Sequence, residues 1–363
     1  MTPRELRSQL AETRARPVDG AVFFHYQGMD DTQWAELAAI RGRKCTPKRS
    51  VFMIGEYPWW NKDVENVVLY CKKAGCNKLI PHAPFMTGDF EADPAHKRYF
   101  HFEKDPGEYL NSFIRPLICH AIKEGMEVAL WLDPVTLSSV DGRHELMQHD
   151  EKGRETVVAC PANPEVRRLN IEKFVAMAKA FPLVSEFVME DCLIWRTRED
   201  RDVCYCDYCK ANAPIGKPEW TQWRIDQMND YVENLRVALK KVRPDLQLAY
   251  AGRTPYRNSM SMYTDWQAMC RKGFLDRLYP MCYRTDVEDF RQIAASCLDV
   301  LKGIDVPISL GIGVSTTVTY TFPPVLLDQI RISRELGAEE VYFFTADEFT
   351  TEHWEALWAP GHH

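Results

Sequence analysis

An apolar run, Phe187-Val188-Met189, stops abruptly at two adjacent carboxylates, Glu190 and Asp191. A buried parallel strand reads this way when polar chemistry sits at its C-terminal tip. A little further on, Cys204-Tyr-Cys206-Asp-Tyr-Cys209 places three thiols at the close spacing of a metal clasp. An acid that keeps its proton can donate it to a leaving oxygen, while a second, ionised acid attacks or activates water. Cleavage of a glycosidic bond needs this pair. Tetrahedral zinc needs four ligands, so the three thiols need a fourth, and Cys160 is the candidate with Cys192 in reserve. A closed four-cysteine site would staple loops rather than activate water. A reduced, metal-free cluster is the alternative.

The elements that must position these groups repeat along the chain. Short apolar runs at Val51–Ile54, Lys78–Pro81, Glu127–Leu132, Glu186–Met189, Gln247–Ala251, Arg277–Met281, Ile308–Ile312 and Val341–Phe344 read as strands. Between them lie amphipathic patterns such as Val64, Val67, Val68, Cys71 and Phe290, Ile293, Ala294, Cys297, Leu301, spaced as one helix face. Asn163-Pro164 and Asp105-Pro106 place a capping side chain before a proline at the first helical position. Gly75, Gly125, Gly303 and Gly337 stand where helices should close before the next strand. Strands alternating with single helices imply right-handed parallel crossovers, and about eight such units close into a (β/α)8 TIM barrel. An open doubly wound sheet is the alternative, weakened because no Gly-x-Gly-x-x-Gly follows the first strand; no organic cofactor is expected. Residues 1–50 read as an extension packed on a catalytic barrel of residues 51–363, with no linker between them.

In a barrel the substrate meets the C-terminal strand ends. Reading the residues that follow each apolar run gives Glu56 and Tyr57, His82, Asp133, Glu190 and Asp191, Arg253, Tyr283 and Arg284, Ser315 and Thr316, and Asp347 and Glu348. On the fourth strand, alternation puts Glu186, Val188 and Glu190 on one face and Phe187, Met189 and Asp191 on the other. Phe187 and Met189 suit the layer under the helices. Glu190 is then expected to point into the mouth as general acid, with Asp191 on the rim as an orienting group and one of Asp133, Glu56 or Asp347 as partner carboxylate. Tyr57, Trp59, Trp60, His82, Trp195, Arg253, Tyr283 and Glu348 are the candidate substrate-binding side chains, and Tyr256, Tyr263 and Tyr320 add further aromatic rings. Sugar faces stack on such rings. Structural ion pairing of the acids with Arg253 or Arg284 is the competing reading.

The 363 residues carry a formal net charge of −7, with 45% hydrophobic and 27% charged residues. That is ordinary globular usage, without a basic stripe for a phosphate backbone, so nucleic acid is not an expected partner. No stretch reaches the roughly 20 apolar residues of a membrane span, and the N-terminus lacks a signal-peptide core, so a cytoplasmic protein is expected unless a signal was removed.

Several segments give the chain a family likeness. Ser50-Val-Phe-Met-Ile, Ala74-Gly75-Cys-Asn77, Ala129-Leu-Trp131-Leu-Asp133-Pro, Cys160-Pro-Ala-Asn-Pro-Glu-Val-Arg167 and Asp276-Arg-Leu-Tyr279-Pro carry it. From about Ser50 to Phe349 the chain resembles the family-10-like glycosyl hydrolases, which are TIM barrels. Their fourth strand typically reads Asp-Gly-Ile-His-Phe-Asp with a catalytic last acid, and the resemblance implies that role for Glu190. Here the segment is Ser185-Glu-Phe-Val-Met-Glu190, with Glu in place of Asp and without the Asp-Gly pair. Locally, the cysteine cluster is similar to the zinc site of family 42 β-galactosidases, which implies a structural zinc on Cys160, Cys204, Cys206 and Cys209. The expected function is glycoside hydrolysis. The rivals are a metal-dependent sugar isomerase or epimerase, using His82, Asp133 and Glu190 as ligands, and a carbohydrate-binding barrel without catalysis.

Overall fold

A computed structural model describes residues 48–53, 64–83, 110–191, 195, 202–314 and 320–358, the side chains of Phe52, Ser138 and Asp347 excepted. Eight strands form one parallel sheet: β1 (Lys48–Met53), β2 (Cys76–Pro81), β3 (Glu127–Leu132), β6 (Glu186–Met189), β7 (Gln247–Gly252), β8 (Arg277–Pro280), β9 (Ser309–Gly313) and β10 (Glu340–Phe344). Two short strands, β4 (Met147–His149) and β5 (Glu155–Ala159), pair separately as an antiparallel hairpin. The large sheet runs β8-β7-β6-β3-β2-β1-β10-β9, and the parallel bridge Leu278↔Ile308 brings its two edges together. The chain is a (β/α)8 TIM barrel, and each of the eight expected runs overlaps one of its strands, Ile54 lying outside the described residues. Its first strand begins at Lys48 rather than Val51.

Helices α1 (Val64–Lys73), α2 (Arg115–Lys123), α3 (Pro164–Ala180), α4 (Asp207–Asn212), α5 (Trp220–Val242), α6 (Tyr256–Met260), α7 (Trp266–Arg271), α8 (Val287–Val300), α9 (Pro323–Glu335) and α10 (Thr351–Trp358) fill the connections. The Asn163 side chain accepts from the Glu165 N–H at 3.0 Å, capping α3 as its Asn-Pro signature implies. Gly75, after α1, has φ of 78°, a left-handed turn that only glycine enters without strain. Residues 1–47 and the Asp105-Pro106 signature lie outside the described residues.

Alternation along the strands builds two apolar layers. Phe187 and Met189 join the large layer beneath the helices, while Val188 faces the interior with Ile80, Ala129, Trp131, Ala249, Ala251, Tyr279 and Tyr342. Gly311 makes room for that interior, because a Cβ there would lie 2.5 Å from the Tyr342 ring. Near the N-terminal strand ends the interior turns ionic. Lys78 Nζ lies 2.9 Å from Glu186 Oε2, the Tyr279 hydroxyl donates to Glu186 Oε1 at 2.6 Å, and Arg277 binds Glu340 at 2.7 Å. This network is complete only while every charge keeps its partner. Exchange of Lys78 for Met is therefore expected to destabilise the barrel by about 3–5 kcal/mol, measured by denaturant unfolding. A loss within 0.5 kcal/mol would show that Arg277 alone suffices for Glu186.

Candidate active site

The backbone ladder runs past the strands and sets the mouth. The Glu190 N–H donates to Leu132 O at 3.0 Å, one residue beyond β6, so Glu190 keeps the inward direction of Val188. His82 N–H donates to Met53 O at 2.8 Å and Ala83 N–H to Trp131 O at 2.9 Å, which seats His82 between β1 and β3. At the end of β3, Asp133 Oδ2 meets His82 Nε2 at 2.8 Å. An ionised carboxylate only accepts, so Nε2 carries the proton in that pair. The His82 ring stands edge-on to Trp131, with centroids 4.6 Å apart.

Asp191 points to the opposite face of the strand, as alternation requires. It is buried, ion-paired with Arg253 Nε, and accepts from the Tyr250 hydroxyl at 3.4 Å. Tyr283, beyond β8, stacks on Phe344 at 5.3 Å, and its hydroxyl meets that of Tyr342 at 3.1 Å. The competing reading of the acids as ion-pair members thus holds for Asp191 with Arg253.

Glu190 lies between these two anchored acids. Burial pushes its carboxyl well above the usual carboxylate range, and the negative charges of Asp133 and Asp191 push it further. The Asp191 N–H and the Trp131 indole oppose that shift by favouring the charged form, without reversing it. Glu190 nonetheless keeps an edge open to solvent. Its carboxyl therefore holds its proton more tightly than an ordinary carboxyl does, at a place a ligand in the mouth can reach. Burial likewise holds the Tyr283 and Tyr342 hydroxyls well above their usual range.

Of the other expected site residues, Glu56, Tyr57, Trp59 and Trp60 lie outside the described residues. Asp347 and Glu348 sit on the short 3-10 turn Ala346–Glu348 after β10, where Glu348 is half-buried and the Asp347 side chain is not described. Trp195 requires a correction. It is 0% exposed, its indole N–H donates to Arg224 O at 3.0 Å, and its ring packs against Trp223. It belongs to the core and presents no face to a sugar. Trp131, Tyr250 and Tyr342 were missed as site neighbours. For Trp131 the signal was available, since it stands two places before Asp133 and so shares its face of β3.

The cysteines converge. Cys160 follows β5 and Cys209 lies on α4, while Tyr205 N–H donates to His149 O at 2.8 Å and joins the second loop to the hairpin. The four sulfurs of Cys160, Cys204, Cys206 and Cys209 lie within 4.8 Å of one another, all buried, and Cys160 and Cys209 are 3.5 Å apart. Zinc bound to four thiolates at about 2.3 Å sets sulfurs roughly 3.8 Å apart, so the quartet fits that ion. Among the described residues this is the one group of three or more ligand-type side chains gathered closely enough for a metal. His82, Asp133 and Glu190 do not gather in this way. Among the described residues no helix is long and apolar enough to cross a membrane.

The model of a family described as glycosyl hydrolase-like 10 matches residues 103–318. No curated protein matches the chain by sequence. Among solved structures, the chain is similar to the PgaB (BpsB) glycoside hydrolase domain from Bordetella bronchiseptica, with a TM-score of 0.59 and 15% identity over 86% of this chain and 98% of that one. It is also similar to a polyextremophilic β-galactosidase from Halorubrum lacusprofundi, with a TM-score of 0.62 and 13% identity over 86% of this chain and 57% of the other. The Bacillus megaterium spore cortex-lytic enzyme SleL aligns with a TM-score of 0.51 and 9% identity, over 87% of this chain and 74% of that one. At these identities the likeness is one of fold.

Proposed function

Because the chain belongs to the glycosyl hydrolase-like 10 family, matched over residues 103–318, we propose that it hydrolyses an O-glycosidic bond in a carbohydrate, with Glu190 as general acid. One observation carries this reading: a proton-retaining Glu190 at the barrel mouth, set between two acids that are each held by a base. In the mechanism, Glu190 passes its proton to the leaving glycosidic oxygen. Asp133, oriented by its 2.8 Å contact with His82, attacks the anomeric carbon or activates the water that does. Asp191, fixed by Arg253 and Tyr250, does not react; its charge raises Glu190 and so holds the proton in place. Arg253 is partly exposed and supplies donors to substrate hydroxyls. Zinc on the cysteine quartet would brace loops and take no part in the bond cleavage.

The metal-dependent isomerase reading is less well supported, because His82, Asp133 and Glu190 do not gather as ligands. The test is release of reducing ends from a panel of polysaccharides and aryl glycosides by the wild type and by Glu190→Gln. Hydrolysis by the wild type that is lost in the variant supports the proposal. Equal turnover by both, or binding without turnover by either, overturns it in favour of another acid or of a non-catalytic barrel.

A further inference from the structure

Two large apolar rings are held out in solvent on the same end of the barrel as Glu190. Tyr320 is 42% exposed and Phe322 is 63% exposed. They flank Thr321, which is fully buried and fastened on every polar atom. Its N–H donates to Val314 O at 2.8 Å, its hydroxyl to Gly313 O at 2.6 Å, and its carbonyl accepts from His353 Nε2 at 2.6 Å. His353 is itself fixed, since Nδ1 accepts from the Thr350 N–H and hydroxyl, which leaves the proton on Nε2. The Tyr320 ring meets Phe322 edge-on at 5.1 Å and His353 at 5.8 Å, and His353 stacks on Phe349. Pro323 and Pro324 open α9 directly after Phe322 and restrict its backbone further. Alternation turns both rings outward because Thr321 turns in.

The support is contiguous with the mouth. Val314 N–H donates to Phe344 O at 2.7 Å, and Phe344 stacks on Tyr283, which follows β8 at the same end of the barrel. In the ring of strands β9 stands three places from β6, so at about 4.8 Å per strand the strand that leads to the rings ends on the order of 14 Å round the rim from the strand that leads to Glu190. That is further than one sugar ring extends. The two rings stand at 86° to each other, so one presents its face to the apolar face of a second sugar while the other flanks it.

We propose that Tyr320 and Phe322 form a stacking platform for a sugar unit bound away from the cleavage point, so that the ligand is a chain of several sugars. This rests on the carbohydrate reading of the mouth given above. The test takes the oligosaccharide series, two to six units long, of whichever sugar the wild type hydrolyses, together with the aryl glycoside of that sugar. In Phe322→Ala, KM for the longest members is expected to rise about two- to tenfold, with aryl glycoside kinetics and the melting temperature unchanged, and the Tyr320→Ala/Phe322→Ala double variant is expected to raise KM for those members further. Unchanged kinetics on the long members overturn the proposal. So does an equal loss on the aryl glycoside, or a change in oligomeric state that accounts for the loss. Retention on immobilised polysaccharides separates the two readings. If the wild type is retained without hydrolysing and the double variant is released, the platform stands and the hydrolase reading falls. If neither protein is retained and nothing is hydrolysed, both fall.

Discussion

Exchange of Glu190 for Gln is expected to lower kcat/KM by about 10²- to 10⁴-fold, the usual contribution of one positioned acid. Gln keeps the shape and can still donate a hydrogen bond, but it has no proton to give to the leaving oxygen. The same exchange should change how stability varies with pH, and the sign is opposite to that of an ordinary surface carboxylate. Burial and the charges of Asp133 and Asp191 raise Glu190 in the folded state above its unfolded value near 4.3. The folded chain therefore binds that proton more tightly than the unfolded chain. The resulting stabilisation is fully present below the unfolded value and is lost as pH rises through the folded one. Glu190→Gln should remove this loss, so that the variant is more stable than the wild type on the alkaline side. Activity follows the same proton, and the alkaline limb of the wild-type kcat/KM profile should mark Glu190. Melting curves and kinetics across pH check both expectations. A variant whose melting temperature tracks the wild type at every pH would show that Glu190 is not the group held protonated.

The second large effect is expected at the cysteines. The purified protein should carry one zinc per chain, and Cys206→Ser or a strong chelator should remove it. Structural zinc sites in small peptides have apparent binding free energies of about 10–16 kcal/mol at neutral pH. Here the barrel has its own core, so the loss should centre on the hairpin β4–β5 and the loop bearing Cys204 to Cys209. Without a cation the four thiols are unequal: burial holds the Cys160 thiol well up, while hydrogen bonds from its neighbours pull Cys206 down. The expected signature is rapid amide exchange at Tyr205 and Cys160, whose N–H groups bond His149 and Leu146, and a melting temperature lower by on the order of 10 °C. Those loops leave β3 and β6, the strands that end in Asp133 and Glu190, so hydrolysis should decline with metal content. Unchanged melting in a protein shown to hold no metal would mean that packed thiols alone close the site.

Local patterns carried much of the architecture. The eight strands were legible because each is a short apolar run with a polar end. The α3 start was legible because Asn163-Pro164 is a cap written in adjacent residues. The face of Glu190 followed from period-two alternation, and Phe187 and Met189 fell into the outer layer for the same reason. The hairpin β4–β5 was not legible, since Met147–His149 and Glu155–Ala159 mix polar and apolar residues without a clean period.

What the sequence by itself determined is the barrel, the direction of Glu190 and the three-thiol cluster, all set by spacings of a few residues. Tertiary structure decided the rest, because it depends on which strands become neighbours and in what register. His82 meets Asp133 and Arg253 meets Asp191 only once β2 lies beside β3 and β6 beside β7. Cys160 becomes the fourth member of its quartet by the same adjacency of β3 and β6. Trp195 reads as a sugar-stacking ring until the Arg224 carbonyl and the Trp223 ring enclose it. The retained proton of Glu190 belongs to this second class as well: burial and two neighbouring charges create it, and none of the three is a property of the residue alone.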